Sequence, residues 1–225
     1  MEENKEEKLN ELKQETVQTV NQVKDTIKNV DIKNDAKAAT GFVSAMFKDP
    51  FAKIKEICTD SENKNFKIAI IFISIWLITI FVEALIEIGF TKFWSVNYAF
   101  SQIWRALRLT FAPLISILVI SLIIFIMNKK AKKSMTTIIT SITIAQIPTI
   151  LARIISMLNI ISLQAATLTN RISQLGNVVS IILLYFTMKS LFEEEKNSKF
   201  IKTFIIIEAI YYTISLVIYY LGIYI

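Results

Sequence analysis

The stretch "IIFIMNKKAKKSMTTIITSI", residues 123–142, sets four lysines, Lys129, Lys130, Lys132 and Lys133, into five positions between two apolar runs. A soluble protein seldom borders a charged turn with so much unbroken hydrocarbon. The arrangement reads as a short loop between two membrane helices, with the lysines as topology anchors.

Working outward from this loop, apolar runs occupy residues 68–90, 109–127, 135–158, 172–188 and 204–225. Each holds roughly 17–24 residues, which at about 1.5 Å of rise per residue matches a hydrocarbon core about 30 Å thick. The fourth run has the weakest signal, because Gly176 and Asn177 open it. None of the runs has a polar stripe to meet water, so a soluble bundle of five buried helices is disfavoured. The chain is 53% hydrophobic over 225 residues, more apolar surface than a soluble domain of that size hides. The expected fold is therefore all-α: a polytopic transmembrane bundle of five spans over residues 66–225. Before it come a polar tail (1–40) and an amphipathic interfacial segment (41–65).

Charge is unevenly placed. Residues 1–65 carry 11 lysines and 13 acids, a net −2, whereas residues 66–225 carry the remaining 14 basic and 6 acidic residues, a net +8. The basic excess lies at the ends of the apolar runs, which argues against nucleic-acid binding. A single cysteine, Cys58, excludes an intramolecular disulfide, and the lack of histidine excludes a histidine base or metal ligand from this chain. No metal, cofactor or catalytic residue set is expected. There is no early secretory signal, so targeting is expected to come from the first span.

Short loops rich in Lys and Arg stay cytoplasmic. With the N-terminus inside, the lysine loop and the loop holding Lys189, Lys196, Lys199 and Lys202 both face the cytoplasm. The expected location is the cell membrane, multi-pass, with the N-terminus cytoplasmic and the C-terminus extracytoplasmic.

In the tail, Leu9, Leu12, Thr16, Val20, Val23, Ile27 and Val30 recur at spacings of three and four, a thin stripe on a very polar chain. The tail is expected to be partly helical or disordered, with a membrane-protein partner as its candidate contact. In "FVSAMFKDPFAKIKEIC", residues 42–58, Asp49 can cap a helix that starts at Pro50, and Phe51, Ile54, Ile57 and Cys58 share a face. This segment reads as a helix on the membrane surface, with Cys58 as packing surface first and an acylation candidate second. Six aromatics among residues 90–104 suit an interfacial anchor in the first external loop, part of which is expected to be a short helix along the interface.

Polar residues inside apolar runs are the candidate site. Glu83 and Glu87 lie near the outer end of the first run, Arg153 reaches a similar depth in the third, Gln146 interrupts the third, and Glu208 lies near the inner end of the fifth. A charge in lipid is costly unless it snorkels, neutralises or pairs, so a Glu83–Arg153 pair is expected. These residues form either structural polar contacts or a solute pathway.

The chain resembles a bacterial member of the Yip1-domain family over roughly residues 40–225. The similar features are "FVSAMFKDPFAKIKEI" with its Asp49-Pro50, the gap before the first span, the aromatic first external loop, the short lysine-rich loop and the close spacing of the later spans. The resemblance implies five spans, a cytosolic N-terminal region and no catalytic residues. It points to a non-enzymatic protein that binds or organises membrane partners or lipids. The alternative is a small-solute or ion transporter or channel component.

Overall fold

The computed structural model describes residues 3–29, 31–60, 64–90, 96–127, 133–157, 165–192 and 197–223, and among them nine helices. Three precede the first long apolar helix: α1 (Glu3–Lys28), α2 (Ile32–Lys48) and α3 (Pro50–Thr59). Six follow: α4 (Phe66–Phe90), α5 (Val96–Met127), α6 (Met135–Ala145), α7 (Ile147–Ser156), α8 (Ala165–Leu191) and α9 (Asn197–Ile223).

Local chemistry sets the helix starts. The Asp31 carboxylate accepts the Asn34 N–H at 3.2 Å and opens α2. The Asp49 carboxylate accepts the Ala52 N–H at 2.9 Å, and Pro50 supplies a first residue that needs no acceptor. The Ser134 hydroxyl accepts the Thr137 N–H at 3.1 Å and opens α6.

The bundle forms around α6, in which every residue from Thr136 to Ala145 is buried. Helices α4, α5 and α8 pack around it, and α3 closes one end. This end, which holds Phe66, Met135 and Leu191, is called the near end below. Helix α6 stops at Gln146, and α7 departs at 42°. Pro148 causes the break: it has no N–H for the Ile144 carbonyl, and its ring collides with that carbonyl in a straight helix.

Helices α4, α5 and α8 contain spans long and apolar enough to cross a membrane: Phe66–Glu83, Thr110–Met127 and Thr167–Leu191. The bent pair α6 and α7 adds a fourth if it is one broken span. The chain is thus an all-α, multi-pass membrane bundle of three spans, or four with the bent pair. This corrects the expectation of five. The run at 135–158 is broken in two at Gln146, and α9 is not among the spans found in the described residues. The expectation that the C-terminus is extracytoplasmic rested on that fifth crossing.

The fourth run is longer than its hydropathy suggests. Gly176 and Asn177 weaken the apolar signal because they face α7 rather than lipid. A Cβ at Gly176 would lie 2.8 Å from the Pro148 carbonyl oxygen and closer still to the Ala152 side chain, so only glycine permits this approach.

Residues 1–40 are helical over Glu3–Lys28 and again from Ile32. The helix expected in the aromatic loop is the first part of α5, which carries Trp104 half exposed, and residues 91–95 lie outside the described residues. Lys129, Lys130 and Lys132 also lie outside them, while Lys133 immediately precedes the cap of α6.

Candidate functional site

The near end carries a platform built from α1, α2 and α3. Helix α3 is set into the bundle: Ile54, Ile57 and Cys58 are each at most 2% exposed. The Cys58 thiol lies 3.5 Å from the Ser141 hydroxyl and 3.8 Å from the Thr187 carbonyl, joining α3 to both α6 and α8. Such a thiol is enclosed packing surface. On the flank of α3 the Phe51 ring meets Phe186 edge-on at 4.3 Å, and Lys53 sits over the Phe42 ring.

Helix α2 is tied to α4 by an ion pair, Lys67 Nζ to Asp35 Oδ1 at 2.7 Å. The Lys67 hydrogen bond holds the Asp35 carboxyl below its ordinary value of 3.8, against a smaller opposing effect of burial. Lys67 also donates to the Asn29 carbonyl at 2.9 Å, which fixes the end of α1.

Helix α1 is attached through polar atoms. The Thr136 hydroxyl donates to Gln22 Oε1 at 2.7 Å, Thr19 lies 3.5 Å from the same hydroxyl, and Glu15 receives the Met135 N–H at 3.4 Å. Glu15 thereby places negative charge at the electropositive N-terminus of α6. Because α1 touches the first turns of both α4 and α6, it lies across the near end. Its docking face joins these polar groups to Val23, which packs partly buried against the core, while Val17, Val20 and Ile27 remain exposed.

At the far end the structure brings Glu83 and Arg153 together, with Arg153 Nε 2.8 Å from Glu83 Oε2. Glu83 is 17 positions beyond Phe66 and Arg153 is 18 beyond Met135 (83 − 66 and 153 − 135). Helix α4 and the bent pair therefore run side by side through the same depth. The Glu87 side chain lies outside the described residues. Gln146 is buried at the α6–α7 break, and its N–H bonds the Thr143 carbonyl at 3.1 Å. Glu208 is not gathered with the pair: it belongs to α9, which packs on α5, and its Oε1 is buried with no hydrogen-bond partner among the described residues.

Sequence reasoning missed a second polar knot. The break at Gln146 leaves the first N–H groups of α7 without helical acceptors. Ser180 of α8 supplies one, accepting the Thr149 N–H at 3.1 Å, and the Thr149 hydroxyl reaches Ser180 Oγ at 2.9 Å and Asn177 Oδ1 at 3.1 Å. The sequence marked an interruption at Gln146, but nothing in it named the capping partner. These hydroxyls are interhelical ties. Among the described residues no group of three His, Cys, Asp or Glu is arranged to hold a metal. Comparison of the chain with protein-family models, with curated proteins and with solved structures finds no match.

Proposed function

We propose that the chain is a non-enzymatic membrane protein of Yip1 type that binds or organises membrane partners or lipids through its N-terminal helices. The observation that carries this reading is the mounting of α1. Polar contacts and the partly buried Val23 hold it across the near end, while Val17, Val20 and Ile27, spaced by three and seven, stay exposed beside Lys13 and Lys24. That pattern suits an amphipathic partner helix with an acidic border. The near end is taken as cytoplasmic because Lys64, Lys67, Lys133 and Lys189 gather there. The side-by-side course of α4 and α6–α7 supports reading the bent pair as one broken span.

The transport alternative loses support at Glu83 and Arg153. They neutralise each other and tie α4 to α7, which favours a structural role over a moving charge. A photo-crosslinking residue placed at Val20 in native membranes tests the proposal. A discrete protein adduct that disappears with Val17→Ser and Ile27→Ser is the expected result. No adduct, together with ion or solute flux that Glu83→Gln abolishes without loss of protein, would overturn it.

A further inference from the structure

We infer that the corner between α2 and α3 is a wedge for anionic lipid, with Phe47 and Phe51 entering the acyl region and Lys48 and Lys55 meeting headgroup phosphates. The inference deepens the lipid part of the proposed function and rests on the membrane-facing position that reading gives the platform.

Depth is the first argument. Phe51 packs on Phe186, and Phe186 lies five positions before Leu191, where its span ends. Five residues correspond to about 7.5 Å of helix rise, within the 5–10 Å to which interfacial apolar faces sink. Phe51 is therefore held at the boundary between headgroups and acyl chains by a side chain of the span itself. Phe47, across the corner, is 68% exposed and Phe51 50% exposed. Two half-bare phenylalanines beside buried Phe42, Met46 and Ile54 are explained if lipid covers them.

Charge is the second argument. Lys55 stands one helical turn from Phe51 on the same flank of α3, and Lys48 adjoins Phe47; both lysines are exposed. The neighbouring acids are engaged elsewhere. Glu56 pairs with Lys53 at 2.6 Å, and the Asp49 carboxylate caps α3. The corner thus offers two exposed cations neighbouring two exposed aromatic rings along its helices, a pattern that suits a phosphate headgroup over acyl chains.

The test uses the full chain, purified and reconstituted into phosphatidylcholine discs containing phosphatidylglycerol. In a Cys58→Ser background, Phe47→Cys carries an environment-sensitive fluorophore, and Asn21→Cys on α1 serves as the reference. The label at 47 is expected to shift to the blue and to be quenched by acyl-chain quenchers, while the label at 21 stays aqueous. Association of spin-labelled phosphatidylglycerol, relative to phosphatidylcholine, is expected to fall about fivefold for each lysine removed by Lys48→Gln and Lys55→Gln. An aqueous label at 47, or one shielded from both water and lipid quenchers, would overturn the inference. Lipid selectivity unchanged in the double variant would do the same. These readouts use no partner, so a missing crosslink at Val20 bears on the proposed function and not on this result.

Discussion

Helices α3 and α1 both lie against the near end of the bundle, yet they hold to it through different chemistry. Helix α3 turns its apolar face inward, burying Ile54, Ile57 and Cys58. Helix α1 turns mostly polar side chains inward, Glu15, Thr19 and Gln22, with Val23 as a partly buried apolar contact, and leaves Val17, Val20 and Ile27 exposed. Burying a large aliphatic side chain contributes about 1.5–3 kcal/mol, whereas a typical hydrogen bond contributes about 0.5–1.5 kcal/mol net. Helix α3 is accordingly part of the core, and α1 is an attachment able to lift from it.

The largest effect that sharpens this contrast belongs to Ile57→Ala. It empties a site only 1% exposed, and a loss of about 2–5 kcal/mol is expected in unfolding of the protein in mild detergent. Asp49→Ala removes the cap of α3 and is expected to cost about 1 kcal/mol by the same measurement. Gln22→Ala breaks the bond from Thr136 and is expected to cost about 1 kcal/mol or less, read as faster proteolysis within α1 and not as unfolding of the bundle. If Gln22→Ala destabilised the bundle as much as Ile57→Ala, the contrast would be broken.

Acid provides a gentler probe of the α2–α4 tie. The folded Asp35 carboxyl titrates below its ordinary 3.8, so its stabilising contribution is full above that value and is lost as pH falls through the lower folded value. Acid unfolding below about pH 4 should therefore be less steep in Asp35→Asn. Last and smallest, Val20→Ser should change stability by no more than about 0.5 kcal/mol, because the side chain is 47% exposed. Its effect is expected on partner capture alone.

The same contrast explains what the sequence disclosed. Helices α4 and α5 were legible as uniform apolar runs, and the Glu83–Arg153 contact follows from their matched depths. Helix α3 was legible through Asp49-Pro50 and its apolar face. The α8 span was faint because Gly176 and Asn177 serve the contact with α7. The count of five gave way to three spans, or four with the bent pair, because the third run breaks at Gln146 and α9 is not among the spans found in the described residues. The docking of α1 was legible only in part. Pattern reading looks for apolar periodicity, and of the stripe it found only Val23 packs on the core, while the residues that hydrogen-bond to α6 are polar.

Amide hydrogen exchange of the full chain in lipid discs tests the division most directly. The account predicts that amides of residues 54–58 exchange only with global opening, alongside those of α6. Amides of residues 15–27 should exchange through a lower-energy local opening that leaves α3 protected. Equal protection of the two helices, or exposure of α3 whenever α1 opens, would contradict it.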